Sequence, residues 1–267
     1  MRVTKFALVG DETVDLPITQ VSPSDKFILK DISGLGPPDV LVNIGTTTYP
    51  QGVYQGSKPQ PRQMIATIGL NPDYFSGETV EDLREILYGI LGLEIGDFVF
   101  EIWNDDVKVA IAPGHVSKFE PAIFSKDPAV QITIECEDSY FSAPDELEVN
   151  LTGMSTSTLT VDNIGSVVAG FRLAITLTSN LSSFQLTLDS IPLQVTYAFL
   201  SGDQIIFETR DGNRNISRIR SGVEISLLDN ITLDNWLKLK RGVNSIGMSS
   251  PNFTYDYLEY TPNYLGV

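Results

Sequence analysis

The sequence predicts a mainly β protein with one helix, built as two consecutive parts: an antiparallel sheet plus a helix in residues 1–142, then a β-sandwich in 143–267. Three observations carry this. Short alternating or β-branched runs recur along the whole chain, separated by Gly, Pro, Asn and Asp. One stretch alone, 79–92, repeats its apolar residues at helical spacing. Beyond residue 142 that helical period disappears, and eight or so strand-like runs follow at short intervals.

In the first part, TKFALVG (4–10) alternates and DVLVNI (39–44) is apolar and β-branched. RQMIATIGL (62–70) puts Met64, Ala66, Ile68 and Leu70 on one side. Between them lies ISGLGPPDV (32–40). Its glycines invite a phosphate-loop reading, but no Lys-Ser/Thr and no helix follow them. Pro37 and Pro38 have no backbone N–H to offer an anion, so the stretch reads as a stiff turn aimed at the strand beyond Asp39. YPQGVYQGSKPQP (49–61) holds three prolines and two glycines and is expected as an irregular loop.

The helix is TVEDLREILYGILG, with Val80, Leu83, Ile86, Leu87, Ile90 and Leu91 on its apolar stripe. Thr79 suits the N-cap, Glu81 and Asp82 suit the positive end of the helix dipole, and Gly92 suits the stop. DFVFEIW (97–103) and VKVAIA (107–112) read as a hairpin turning at Asn104-Asp105-Asp106. HVSKFEP (115–121) and VQITIECED (130–138) follow as two more strands.

In the second part, LTVDN, FRLAITLTS, FQLTLD, LQVTYAF, QIIFETR, RNISRIR, VEISLLD and NSIGMSS read as successive strands. GDQIIFETRDGNRNISRI (202–219) is a hairpin with its turn at Asp211-Gly212. The tyrosine-rich end, with Tyr255, Tyr257 and Tyr260, reads as a further strand returning to the structure.

Charge narrows the function. Lys and Arg total 18 against 34 Asp and Glu, a net −16. Residues 1–142 carry 10 basic and 21 acidic side chains, net −11; the remainder carries 8 and 13, net −5. Such a chain should not wrap nucleic acid by charge neutralisation, because its surface repels phosphate, and no sequence-specific nucleic-acid binding is expected. Such acidity suits solubility, or a passage along which DNA slides without sticking. No apolar run approaches the roughly 18 residues of a membrane span, so no membrane insertion is expected. With no signal peptide read in MRVTKFALVGDETVDL, the chain is expected to be soluble and made in a cytoplasm.

Chemistry is sparse. His115 is the single histidine and Cys136 the single cysteine, too few for a triad or a zinc site. His115 reads as a surface or interface residue, and Cys136 as a small buried apolar one. Asp105/Asp106, Glu135/Glu137 and Asp145/Glu146 are acid pairs only along the chain, as 34 acids make inevitable. DGNRN (211–215) has calcium-type oxygens but two arginines at hand and no EF-hand spacing. We therefore expect no catalytic, cofactor-binding or metal residues, no cofactor, and no enzyme. Arg214, Arg218 and Arg220 share strand parity; they line either a solvated face or a contact with acids of a neighbouring subunit. Trp236, between Ile231, Leu233, Leu237 and Leu239, reads as packing rather than as a sugar platform.

In order along the chain, GLGPPDV (34–40), the Gly-rich stretch PQGVYQGSKPQPRQMIATIGL (50–70) with Arg62 entering a strand, the helix ETVEDLREILYGIL, GDQIIFETRDGNRNI, DNWLKLKRGVNSIGMSS and the close YTPNYLGV resemble the distal tail protein (Dit) family of long-tailed, non-contractile bacteriophages. The resemblance spans nearly the whole chain. It implies an N-terminal ring-forming (belt) domain followed by a galectin-like β-sandwich. It also implies a structural virion protein: a homo-hexameric ring, doubled in some phages, at the distal end of the tail. The sandwiches would project outward. Implied partners are the tail tube above, the tail-tip hub below, and receptor-binding or side-fibre proteins around. DNA would leave through the lumen, and the family offers no catalytic residues to carry over. The alternative reading is a carbohydrate-binding, lectin-like adhesion module on a phage tail.

Overall fold

The computed structural model describes residues 3–267 except 11, 19–21, 23–24, 46–52, 92–97, 106, 123–125, 156, 234 and 251. It divides into two compact units, one of residues 1–144 with 264–267, the other of 145–263. The sequence reading keeps 143–267 together, whereas residues 143 and 144 fall with the first unit. The last four residues also join the first unit, where Tyr264 and Val267 pack against its core.

The first unit begins with β1 (Lys5–Val9), β2 (Thr13–Pro17), β3 (Phe27–Ser33), β4 (Val40–Gly45), β5 (Val53–Pro59) and β6 (Gln63–Leu70). After the helix α1 (Val80–Leu91) come β7 (Phe98–Asn104), β8 (Val107–Pro121), β9 (Ala129–Cys136) and the two-residue β10 (Phe141–Ser142). Seven of these strands run in the order β2-β1-β7-β8-β9-β6-β3, every neighbour antiparallel. β2 and β3, the two ends of that order, touch each other, so the sheet curls round one core. The alternation read in 62–70 holds: Met64, Ala66, Ile68 and Leu70 are all buried.

α1 buries Leu83, Leu87 and Leu91, a stripe at i, i+4, i+8. Ile86, expected on that stripe, is exposed. The N-terminus is a reciprocal cap: the amide of Asp82 donates to Thr79 Oγ1 (3.2 Å), and the amide of Thr79 donates to Asp82 Oδ2 (2.8 Å). The Thr79 hydroxyl also donates to Asp82 Oδ2 (2.7 Å), and that bond first, then the one from the Thr79 amide, holds the Asp82 carboxyl below its ordinary range. Gly92 and Asp106 lie outside the described residues.

Two expectations change. Residues 107–121 form one long strand, not two. Pro113-Gly114 does not break it: Gly114 pairs with Phe98 on one side and Cys136 on the other, and a Cβ there would lie 2.6 Å from the Glu135 carbonyl oxygen. The predicted irregular loop 49–61 contains a strand, β5, paired antiparallel with β4. Prolines permit this because Pro59 ends β5 and the pair is two-stranded, so no second neighbour needs its missing N–H. Residues 49–52 lie outside the described residues.

The second unit is a sandwich. Its strands are β11 (Leu147–Met154), β12 (Thr158–Asn163), β13 (Phe171–Leu177), β14 (Leu181–Leu188), β15 (Ile191–Phe199) and β16 (Gln204–Glu208), then β17 (Asn215–Arg220), β18 (Val223–Ser226), β19 (Ile231–Leu233), β20 (Gly242–Met248) and β21 (Phe253–Tyr260). One sheet runs β11-β21-β13-β16-β17-β18, the other β12-β20-β14-β15-β19. Phe184 of β14 meets Phe207 of β16 edge-on, centroids 5.9 Å apart, so the two inner faces share one core. The tyrosine-rich end is a central strand: β21 sits between β11 and β13, with Tyr255 and Tyr260 buried.

Candidate assembly surface

β4 and β5 form a two-stranded sheet of their own, bonded to no other strand among the described residues. Their register runs from Val40↔Pro59 to Gly45↔Val53, with a bulge beside Asn43 where Gly56 takes φ +134°. A half-buried strand would alternate; Val40, Leu41 and Val42 are instead all about half exposed, and Ile44 and Tyr54 reach 64% and 63%. Successive strand residues point to opposite faces, so the hairpin carries apolar side chains on both. A lone two-stranded hairpin is marginal in water, and its outer edges offer unpaired backbone groups. A contiguous exposed apolar patch with open strand edges is the type of surface that a protein partner covers.

The root of the hairpin is closed by hydrogen bonds. The Gln60 amide donates to the Asp39 carbonyl (2.8 Å), closing the base. Just outside, Arg62 is 98% buried, and among the described residues its hydrogen bonds go to carbonyls rather than to a carboxylate. Its Nη1 donates to the carbonyls of Gly34 and Gly36 (2.6 Å to Gly36), and its Nη2 to those of Ser139 (3.2 Å) and Leu265 (2.6 Å). Burial pulls the Arg62 pKa down; four oriented carbonyl dipoles and the Phe141 ring stand in for the missing water. Between this root and the sheet lies a cleft of about 350 Å³ lined by Pro37, Pro38, Asp39, Gln60, Pro61 and Glu135 among others. The ISGLGPPDV stretch is therefore a turn whose carbonyls are captured by a buried cation.

The other candidates read from the sequence lie apart. His115 is exposed, with Nε2 3.7 Å from Glu137 Oε1. Cys136 is buried on β9, and burial pushes its thiol up to about 11, so it is a poor nucleophile in the fold. Glu135 accepts from Gln63 Nε2 (2.7 Å), and Glu146 pairs with Arg210. Asp211 is occupied by Lys238 (2.6 Å) and Arg214, and those bonds, Lys238 first, hold its carboxyl low. Among the described residues, no group of three His, Cys, Asp or Glu side chains is arranged to hold a metal ion.

The arginine face finds its partners inside the chain. Arg220 grips Asp203 through two bonds of 2.6 Å, Arg214 takes Asp211, and Arg218 is buried with its guanidinium 5.7 Å from the Tyr197 ring centroid. Trp236 packs against the sandwich core, as expected, with Arg214 5.9 Å from its ring. Sequence reasoning missed β5 and the exposed pair Tyr74 and Phe75. The signal for the hairpin was present in VLVNI, an apolar run without alternation and too short for a helix.

No family model and no curated protein matches the chain. Solved structures do. The crystal structure of the Dit protein (gp 19.1) of phage SPP1, described as a paradigm of the hub adsorption apparatus in phages infecting Gram-positive bacteria, aligns over 97% of this chain and 98% of its own, with 15% identity and a TM-score of 0.65. Baseplate structures of phage p2 in the activated conformation align at 10% identity. The one with calcium covers 100% of both chains at a TM-score of 0.44; the one with strontium covers 97% of both at 0.40. The fold of this chain, through both units, is that of SPP1 Dit.

Proposed function

We propose that this chain, with the fold of SPP1 Dit, is a structural hub protein of a phage tail, a virion component at the distal tail tip that performs no chemistry. The observation that carries the reading is the end-to-end match: both units, in one chain and in the same order, over 97% of the length. A fold alone does not specify a function. Two features of this chain support the step. The hairpin β4–β5 exposes apolar side chains on both faces and leaves its strand edges open, as a subunit contact requires. The acidity is concentrated in residues 1–142, at −11 of −16, where a passage for DNA needs repulsion rather than grip.

In this reading the first unit builds a homo-hexameric ring with closing, head-to-tail interfaces. β4–β5 is the element that reaches the neighbouring subunit or the tail tube. The second unit is displayed for tail-tip, receptor-binding or side-fibre proteins. Negative-stain microscopy of the purified protein tests it. Six-fold rings with a central hole are expected; a monomer at assembly concentrations would overturn the ring.

A further inference from the structure

The turn between β6 and α1, residues 72–78, holds two aromatic side chains in open water. Tyr74 is 70% exposed, and Phe75, at 104%, is as exposed as in an unfolded chain. Leaving a Phe in water forgoes the stabilisation that its burial would give.

The turn that presents them is tightly built. The Phe75 amide donates to Asp73 Oδ1 (3.0 Å), and the Ser76 hydroxyl and amide both donate to the Asp73 carbonyl (2.8 and 3.1 Å). The Glu78 amide donates to that same carbonyl (3.2 Å), while Glu78 Oε2 accepts from the Asp73 amide (3.0 Å). Glu78 Oε1 is held by Lys26, Gly77 supplies a φ of +82°, and the Thr79–Asp82 cap fixes the far side. The backbone that carries both aromatics is thus set before a partner arrives, which lowers the ordering cost of binding to that of the two side chains. Rigid aromatic side chains at the centre of a patch are the residues that dominate interface energetics.

The surroundings say which partner. Asp73, Glu78, Glu81, Asp82 and Glu85 lie on the turn and the first turns of α1, against one cation, Arg84. Arg84 pairs with Glu81, and Lys26 with Glu78. The local surface is acidic in a chain of net −16. A pocket with a basic rim would complement that charge, and this chain, with 18 Lys and Arg against 34 Asp and Glu, is poor in such a rim.

We propose that Tyr74 and Phe75 form an aromatic plug for a different chain of the tail, one presenting an apolar pocket bordered by Lys and Arg. The proposal takes only its choice of candidate partners from the hub reading. The plug itself rests on the built turn, the exposed rings and the acidic rim.

The test mixes the full chain in turn with the tail-tube protein and with the tail-tip hub protein of the same virus, and reads binding by interferometry at low and high salt. One of the two is expected to bind the wild type, with affinity falling as salt rises. Phe75→Ala should weaken that binding about 30-fold. Phe75→Trp should preserve it, with indole emission shifting to the blue on binding. Unchanged affinity of Phe75→Ala, binding by neither protein, or salt-independent binding would overturn the plug. So would loss of self-association in Phe75→Ala, since the occupant would then be a second copy. Mass photometry of the wild-type chain alone reports separately on the ring, so failure of the hub reading is distinguishable. Circular dichroism checks that the fully exposed substitution leaves the fold intact.

Discussion

The guanidinium carbon of Arg62 lies 4.0 Å from the ring centroid of Phe141, so a buried cation rests on an aromatic face. Its nitrogens reach Gly34 and Gly36 before β4, Ser139 before β10, and Leu265 near the end of the chain. One side chain therefore ties the hairpin root, the segment after β9 and the last residues into a single cluster.

Replacing Arg62 with Met is expected to cost about 3 kcal/mol or more, because four carbonyls lose their donor inside the protein. Arg62→Lys should rescue little, since a point charge cannot span the fork. Urea unfolding midpoints at constant slope give the measurement; a loss under about 1 kcal/mol would mean that water replaces the clamp.

Gly34 sits at φ +86°, and a Cβ there would lie 2.1 Å from the Gln63 carbonyl oxygen. Gly36, two residues on, has nothing within 4 Å of its Cβ position. Gly34→Ala should therefore destabilise by about 1–3 kcal/mol, while Gly36→Ala should stay within about 0.5 kcal/mol. Equal melting shifts in the two variants would refute the steric account.

Asp203 is buried, receives two bonds from Arg220 and one from the Leu200 amide (2.8 Å). The Arg220 bonds, above all, hold its carboxyl below the ordinary value of 3.8. A carboxyl with a depressed folded pKa contributes stability above its unfolded pKa and loses it as pH falls through the folded one. Acid melting curves from neutrality to about pH 3 should fall less steeply in Asp203→Asn, which starts less stable. Parallel curves for the two proteins would show that this pair does not govern the acid limb.

The hairpin prediction separates folding from assembly. Ile44→Asp and Leu41→Glu change exposed positions, so unfolding free energies should stay within about 0.5 kcal/mol of wild type. The proposed ring, by contrast, should dissociate to smaller species in mass photometry. Intact hexamers in the double variant would remove β4–β5 from the interface.

Much of the fold was legible in the sequence where the physics is local. The 3.6-residue period of 79–92 names the helix, and Thr79 with Asp82 names its start. The alternation at 64, 66, 68 and 70 names the buried face of β6. Elsewhere, local rules misled. Pro and Gly in 49–61 argued for irregular backbone, yet a two-stranded pair tolerates Pro59 at its end and uses Gly56 at a bulge. Pro113-Gly114 argued for a strand break, yet close approach of β9 is what requires the glycine.

By itself the sequence determined the class, mainly β with one helix, because alternation, helical period and turn residues act within a few positions. It also determined the acidity that excludes a nucleic-acid grip. Tertiary structure alone decided where the charges find partners. Arg62 is an ordinary strand residue until the fold brings carbonyls from positions 34, 36, 139 and 265 around it. Arg218 and Arg220, alternating like a solvated face, turn inward to Tyr197 and Asp203. Exposure of the apolar hairpin and of Phe75 was likewise settled only in three dimensions, since burial depends on what the rest of the chain leaves uncovered and not on the residue's own hydropathy.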